Sequence, residues 1–323
     1  VTALDTYGAW LIERLVRARE PGAGQAHVDG LPERYQALYD EIRGTEREPL
    51  AEPPRRTSLV DRIASLGRTT IGLAREFTDF AHMLGAITLS LMRAVANPRS
   101  FRFTPTMSHL DKVGWQAVPI MLLITFLIGA IIAQQGFFHF RKFGADAYVV
   151  DMVGILVLRE IGVLIIAIMM AGRSGSAYTA ELGSMKMREE IDALRTMGRD
   201  PVDVLILPRI VALVIALPIL TFMGSMAALY GGGLVAWLYA GMSPAIYIER
   251  LREAISLTHF EVGMIKAPFM ALVIGVVACA QGLAVKGSAE SLGRETTASV
   301  VKSIFLVIVL DGLFAVFFAA VDM

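Results

Sequence analysis

The chain has 323 residues, of which 55% are hydrophobic and 19% are charged, whereas globular proteins average roughly 45–50% and about 25%. Its 30 basic and 30 acidic residues cancel, so the net charge gives no support for a nucleic-acid partner. The single cysteine, Cys279, excludes a disulfide within the chain and a cysteine-based metal site. These features favour an all-α polytopic membrane protein, with no metal site.

Residues 1–54 are more polar than the rest of the chain and contain two short helical patterns. The stretch from Leu4 to Leu15 resembles the Asp-Thr/Ser-x-Gly strand-to-helix turn of STAS domains, which are small α/β regulatory modules. Because the sequence begins where such a domain would be half complete, we expect a partial STAS-like cytosolic segment and a natural protein that starts further upstream. Residues 55–323 then form the membrane domain.

Residues 57–96 predict an amphipathic helix. Apolar side chains such as Val60, Ile63 and Phe77 recur at spacings close to three and four residues, with basic residues such as Arg62 between them. A helix of this kind lies in the membrane interface with its basic face toward anionic headgroups. The alternative is an ordinary amphipathic helix that packs on a soluble core.

Five apolar segments follow, each long enough for the roughly 20 residues that cross a bilayer core of about 30 Å. The predicted spans cover about 113–138, 148–172, 204–240, 262–285 and 300–321. The third is ambiguous, because residues 210–248 carry no charge. Its apolar part is too short for two crossings, so one long helix that is tilted, or broken at Pro218 or at Gly231 to Gly233, fits better. A short helix from Ser243 to Leu257 follows outside the membrane.

The Lys and Arg content of the loops predicts the orientation of the chain. Loops rich in these residues alternate with poor ones, and the segment before the first span is rich in arginine. Because basic loops stay on the cytoplasmic side, we expect five spans with a cytoplasmic N-terminus.

Three charged residues lie near the middle of predicted spans. Arg159 and Glu160 lie near the middle of the second, and Asp311 lies in the fifth. A charge at a helix centre costs about 2.5–3.5 kcal/mol on insertion scales, so such residues face a polar cavity or a partner. Adjacent residues point about 100° apart on a helix, so we expect Arg159 and Glu160 to have separate partners. Gln134 and Gln135 are candidates for the same cavity.

Other interpretations of these charges remain open. In one, the charged residues form ion pairs that only pack helices together. In the other, Arg159, Glu160 and Asp311 form the proton relay of an ion-coupled secondary transporter. The chain shows no internal repeat and no paired broken helices of the kind that many secondary transporters have. An intramembrane enzyme is less favoured, since no H-E-x-x-H or G-x-S-x-G motif occurs.

Small residues, including Gly172, Gly175 and Ser176, join the second span to a charged segment. In lipid, small side chains allow helices to approach closely, so we expect close packing there. The charged segment predicts one helix over about 177–197, ended by Gly198. A short helix that is continuous with two spans suits the transmission of force from a soluble partner, and the alternative is a solvated loop helix.

Several motifs resemble those of the MlaE (YrbE) permease family of ABC lipid transporters. The pattern L-R-E-(I/L)-G-P is met from Leu158 to Gly162, with Val163 in place of the proline. The longer pattern A-G-R-x-G-S-A-x-x-A-E-(I/L)-G-x-M is met from Ala171 to Met185. Two further dipeptides match the later part of the pattern, Asp200-Pro201 and Pro208-Arg209. The resemblance covers roughly residues 58–323.

The resemblance implies a half-transporter of the bacterial inner membrane that pairs with itself, binds two ATPase subunits on the cytoplasmic side and carries a ring of MCE proteins outside. Such a permease moves phospholipid or a related hydrophobic molecule between the inner membrane and the MCE carrier. ATP and Mg²⁺ belong to the ATPase, and this chain is expected to bind no cofactor. Consistent with this division, it has no G-x-x-x-x-G-K-[ST] phosphate loop.

The resemblance also implies roles for particular residues. A lipid cavity near the dimer axis would be lined by Ile132, Phe137, Phe140, Arg159 and Glu160. The surface that docks on the ATPase would consist of Glu181, Met185, Lys186, Arg188, Glu189, Glu190, Asp192 and Arg195. The second span and its continuation therefore contribute to both sites.

Overall fold

A computed structural model of the chain describes residues 4–23, 28–44, 59–98 and 101–321. The chain divides into two units, Val1–Arg68 and Thr69–Met323. The described residues are mainly helical and include no strand. The predicted all-α class is confirmed for this part of the chain.

The first unit contains helices α1 (Thr6–Ala23) and α2 (Glu33–Gly44), which pack against each other. The backbone N–H of Gly8 donates to Asp5 Oδ1 over 2.7 Å, so Asp5 satisfies a free donor in the first turn of α1. A strand before this turn would include residues 1–3, which lie outside the described residues. The STAS-like assignment therefore stays a prediction.

Helix α3 (Leu59–Ala96) covers the predicted amphipathic segment, of which residues 57 and 58 lie outside the described ranges. The boundary between the two units falls within α3. In the second unit, Phe80, Leu84 and Ile87 of α3 pack into a buried apolar cluster of the bundle. One face of this part of the helix is thus occupied by protein, and its location in the membrane interface stays a prediction.

Among the described residues, five helical segments are long and apolar enough to cross a membrane. Spans 1 to 5 are Phe103–Phe143, Tyr148–Met187, Val202–Leu238, Leu257–Ala284 and Ala289–Ala320. The predicted number of five is confirmed. Four of them extend beyond the apolar stretch, because helical hydrogen bonding continues into the polar residues at their ends.

The spans are built from shorter elements. Span 1 contains α4 (Phe103–Val113), a 3₁₀ turn and α5 (Val118–Phe140). Span 2 contains α6 (Ala147–Leu156), a π-helical segment (Val157–Ile161), α7 (Gly162–Met170), a second π-helical segment (Ala171–Gly175) and α8 (Ser176–Met187). The short α9 (Glu190–Thr196) leads to span 3, a π-helical segment (Val202–Ile206) followed by α10 (Leu207–Leu238). The last elements are α11 (Pro244–Ala254), α12 (Leu257–Ala284, span 4) and α13 (Ala289–Ala320, span 5).

Spans 3 and 4 form the centre of the bundle. Of their most apolar stretches, 61% and 67% are buried, compared with 28% for span 1 and 17% for span 5. Helices α5 and α10 approach at the level of their backbones: a Cβ at Gly129 would overlap the carbonyl group of Ala228, and one at Gly231 would overlap the carbonyl oxygen of Phe126. Glycine at these two positions permits the contact.

The ambiguous third span is one helix. Neither Pro218 nor the glycines from Gly231 to Gly233 break α10, which runs without interruption from Leu207 to Leu238. Packing against neighbouring helices compensates for the N–H that proline lacks in membrane helices. The predicted outer helix is α11, which begins where Ser243 Oγ accepts from the Ile246 N–H over 3.4 Å. It ends at Ala254, before the predicted Leu257.

Candidate functional site

A group of charged side chains connects spans 2, 4 and 5. Lys266 of α12 is fully buried, and its Nζ donates to Glu160 Oε2 and, over 3.1 Å, to Asp311 Oδ1. Arg159 Nε lies 3.6 Å from Glu160 Oε1. We call Arg159, Glu160, Lys266 and Asp311 the intramembrane charge cluster. Its two formal positive and two formal negative charges cancel, which is the condition under which buried charges are tolerated.

Local backbone structure brings these residues together. Arg159 and Glu160 lie in the π-helical segment Val157–Ile161, where one extra residue widens the helix, a feature that is frequent at functional sites. Gly263 of α12 faces this segment so closely that a Cβ there would overlap the carbonyl oxygen of Leu158. Lys266 lies about one turn after Gly263, which places its ammonium group beside Glu160.

The cluster departs from expectation in two ways. Arg159 and Glu160 lie within 3.6 Å of each other, which was not expected, although Glu160 also has the separate partner that was expected, Lys266. The sequence did not single out Lys266, because it lies only four residues inside the predicted fourth span, close to its end. The available signal was the Ser256 start of α12, which places Lys266 more than two turns inside the helix.

The residues predicted to form the apolar wall of a lipid cavity differ in how deeply they are buried. Ile132 and Phe140 are partly buried, but Phe137 is only 1% exposed and belongs to a packed cluster with Ala133 and Val153. Ile132 and Phe140 pack against the same cluster, so a cavity wall formed by these three residues stays a prediction.

Side-chain exposure of the cluster itself is uneven. Glu160 and Arg159 retain 25% and 20% of their side-chain exposure, whereas Lys266 has none. Gln134 and Gln135 of α5 are exposed. Asp311 retains 14%, so the cluster is accessible from outside this chain through Arg159, Glu160 and, to a smaller extent, Asp311.

The predicted helix over 177–197 is two helices, which corrects the expectation of one. Helix α8 ends at Met187, and α9 begins at Glu190. Between them, Glu189 has a left-handed backbone with φ of 60°, a conformation that ends a helix and is unfavourable for residues other than glycine. Gly198, with φ of 72°, ends the second helix as expected.

The residues predicted to dock on an ATPase separate into two groups along this break. Around α9, the side chains of Arg188, Glu189, Glu190, Asp192 and Arg195 are exposed or half-exposed, and we call these five residues the α9 surface. Arg188 pairs with Glu190 over 3.0 Å, and Arg195 with Asp192 over 3.3 Å. Ile191, only 2% exposed, anchors α9 to the protein.

The other three point back into the bundle from α8. Glu181 Oε2 accepts from Arg209 Nη2 of α10 over 3.1 Å. Lys186 Nζ donates to the carbonyl oxygen of Leu283 over 2.5 Å, and Met185 is partly buried. These contacts make α8 part of the helix bundle.

The small residues before α8 differ from one another. Gly172 is exposed, and a Cβ there would meet nothing within 4 Å, so the expected close packing does not occur at this position within the chain. Gly175 is buried, with Ile274 of α12 3.4 Å from where its Cβ would lie. Ser176 Oγ donates to the carbonyl oxygen of Gly172 over 2.6 Å, one turn back in its own helix.

Five apolar helices, a buried charge cluster and a charged segment at one end define a multi-pass α-helical membrane protein. Residues 106–317 match the family model described as Permease MlaE, so the chain belongs to this family, as its motifs indicated. The match does not reach the STAS-like segment.

Curated relatives agree with the family match. The chain is 30% identical over 256 residues to the "Intermembrane phospholipid transport system permease protein MlaE" of Haemophilus influenzae, which covers 78% of this chain and 95% of that protein. It is 28% identical over 245 residues to a "Probable ABC transporter permease protein" of Rickettsia bellii, covering 76% and 93%. It is 30% identical over 234 residues to "Protein TRIGALACTOSYLDIACYLGLYCEROL 1, chloroplastic" of Arabidopsis thaliana, covering 72% and 65%. The chain is therefore a transport permease of the ABC type.

Proposed function

We propose that the chain is the permease subunit of an ABC transporter that moves phospholipid, or a related hydrophobic molecule, between the bacterial inner membrane and an extracytoplasmic MCE-protein carrier. The single observation that carries this proposal is that span 2 connects two different sites. It holds Arg159 and Glu160 of the charge cluster, and it continues through α8 into the α9 surface. A displacement at the α9 surface would therefore be transmitted along span 2 to the charge cluster.

On the substrate side, the cavity combines charge with apolar surface. Arg159 and Glu160 supply partly accessible charges, and the proposed cavity would add the apolar side chains of span 1, because an amphiphile with a charged headgroup needs both. The most apolar stretch of span 5 is the least buried of the five, at 17%, and its exposed side chains include Phe305, Leu313 and Val316. Pairing with a second copy of the chain would cover such a face.

On the motor side, ATP and Mg²⁺ are bound by a separate ATPase that docks on the α9 surface in the cytoplasm, and this chain binds neither. The α9 surface carries acidic and basic residues in close pairs, so the docking site on the ATPase should carry complementary charges. Three spans precede α11 in the chain. With the N-terminus cytoplasmic, α11 would therefore lie on the outer side, where the MCE ring is expected.

A second candidate, an ion-coupled secondary transporter, draws on the same charge cluster. Lys266 between Glu160 and Asp311 forms a titratable network inside the bundle, which is a feature of proton relays. The two functions differ in their energy source. Lipid transfer that persists when the partner ATPase is inactivated would support the secondary transporter.

The decisive experiment is co-purification of the permease with its ATPase after charge reversal on the α9 surface. We expect the triple variant Glu189→Lys, Glu190→Lys and Asp192→Lys to retain its own self-association and to lose roughly tenfold or more of the bound ATPase, because like charges then face each other across the interface. The matched control, Glu249→Lys with Glu253→Lys on α11, makes the same kind of change at the other end of the bundle. Unchanged co-purification of the triple variant would contradict the assignment.

A further inference from the structure

Polar contacts fasten α8 to each of the three spans that follow it. Glu181 pairs with Arg209 of α10. Thr179 Oγ1 donates to the carbonyl oxygen of Ala278 in α12 over 3.0 Å and forms a 2.8 Å hydrogen bond with the Ser299 hydroxyl of α13. Helix α8 is therefore held as a rigid continuation of the bundle.

Arg209 is the buried charged member of these contacts. Its side chain is 6% exposed, and its guanidinium lies over the ring of Tyr178, 5.8 Å from the centroid. Its Nη1 also donates to the carbonyl oxygen of Leu205 over 3.0 Å, within the π-helical segment that begins span 3. Among the described residues, Glu181 is the carboxylate that pairs with this buried charge.

The position of this pair in the chain gives it a mechanical role. Glu181 lies before α9 and Arg209 lies after it, 28 residues apart. We call the segment from Glu181 to Arg209, which carries the α9 surface, the coupling hairpin. The contact between the two residues closes the base of this hairpin. The left-handed turn at Glu189 lies beyond this base, and the Asp200-Pro201 start of span 3 lies within the hairpin. A closed base would make spans 2 and 3 move together with α9, and an open base would let the hairpin flex.

We propose that Glu181 and Arg209 are positioning residues that clamp the base of the coupling hairpin, so that movement of the docked ATPase reaches the charge cluster. This inference rests on the proposed function. It gives Glu181 a role besides the predicted docking surface, which stays a prediction, because its carboxylate pairs with Arg209 while its side chain is 42% exposed. The clamp acts through its neighbours and touches neither ATP nor lipid.

The test is the ratio of lipid transferred to ATP hydrolysed, measured for the complete complex in liposomes of phosphatidylethanolamine and phosphatidylglycerol with a fluorescent phospholipid as probe. We expect Glu181→Gln to keep the ATPase bound and hydrolysing while the ratio falls roughly fivefold or more, the lower end of the range for coupling between sites. Glu181→Asp, which keeps the charge, should retain a higher ratio. The matched control is Glu76→Gln, which removes the carboxylate of the exposed Glu76–Lys302 pair between α3 and α13 and should leave the ratio unchanged.

Three results would overturn the clamp: an unchanged ratio in Glu181→Gln, equal ratios in Glu181→Gln and Glu181→Asp, or loss of the ATPase from Glu181→Gln, which would return Glu181 to the docking surface. Failure of the proposed function is distinguishable from these. A wild-type complex that transfers no lipid in response to ATP would overturn the function, and the clamp with it, whereas a change confined to the Glu181 variants concerns the clamp alone.

Discussion

Lys266 Nζ donates a hydrogen bond to Asp311 Oδ1 over 3.1 Å, although the two residues are 45 positions apart in the chain. Because Lys266 also pairs with Glu160, one buried ammonium group links spans 2, 4 and 5. The packing of three helices and the charge of the proposed cavity therefore depend on the same side chain.

Replacing Lys266 with Met should destabilise the protein strongly, because Glu160 and Asp311 lose their shared cation, and removing one partner of a buried pair costs roughly 3–5 kcal/mol. Thermal unfolding of the purified protein in detergent measures this effect. The double variant Lys266→Met with Asp311→Asn should recover much of the loss, since it removes one charge of each sign and leaves Arg159 paired with Glu160.

A matched control for this prediction is Lys302→Met, which removes a partly exposed lysine from its pair with Glu76 and should change stability by less than about 1 kcal/mol. If Lys266→Met unfolded at the wild-type temperature, Lys266 would not be the cation that holds the cluster together.

The left-handed turn at Glu189 predicts a difference between two variants that remove the same charge. Glu189→Gly relieves the unfavourable backbone conformation, whereas Glu189→Ala keeps it, so the glycine variant should hold the α8 to α9 turn more stably by roughly 1 kcal/mol. Hydrogen exchange of the backbone amides from Arg188 to Ile191 measures this difference. Equal protection in the two variants would mean that the turn is not left-handed in solution.

Tyr247 of α11 predicts a pH dependence outside the spans. Its hydroxyl donates to the carbonyl oxygen of Leu229 over 2.9 Å, and burial raises the pKa of its phenol from 10.0 to about 12. The protonated phenol is thus favoured in the folded protein. This contribution to stability is complete below about pH 10 and is lost as the pH rises through about 12.

Absorbance titration of phenolate in wild type and in Tyr247→Phe checks this shift. The difference between the two curves should show one transition near pH 12. A transition at the ordinary value would indicate that α11 leaves Tyr247 exposed to water.

The backbone contact between α5 and α10 predicts that Gly129→Ala is destabilising. A Cβ at this position would overlap the backbone of Ala228, and overpacking of a fitted contact costs roughly 1–3 kcal/mol. The control is Gly85→Ala on α3, where a Cβ meets nothing within 4 Å, and where alanine should stabilise the helix by roughly 0.5–1 kcal/mol. Unfolding temperatures that shifted in the same direction for both variants would argue against the contact.

The sequence predicted those features that local chemistry decides. Five spans follow from apolar runs of membrane-spanning length, and Arg159, Glu160 and Asp311 stand out because charges are rare in such runs. Gly198 and Ser243 mark helix ends correctly, since a left-handed glycine and a capping hydroxyl act on their own turn.

Other features depended on contacts that the local pattern does not encode. The π-helical segments in span 2 went unpredicted, because one inserted residue barely changes an apolar run. Gly172 and Gly175 are both glycines and lie three residues apart in the same motif, yet only Gly175 is buried against another helix. A small residue permits close packing, but the position of the neighbouring helix decides whether it occurs.

The sequence by itself determined that this chain is a five-span permease of the MlaE family with charges in its membrane segments, because span length, charge and motifs are properties of contiguous residues. Only the tertiary structure decided that Lys266 completes the charge cluster and that Glu181 pairs with Arg209. Those partners lie on helices brought together by packing over 45, 106 and 28 residues of chain, and no local pattern specifies which helices become neighbours.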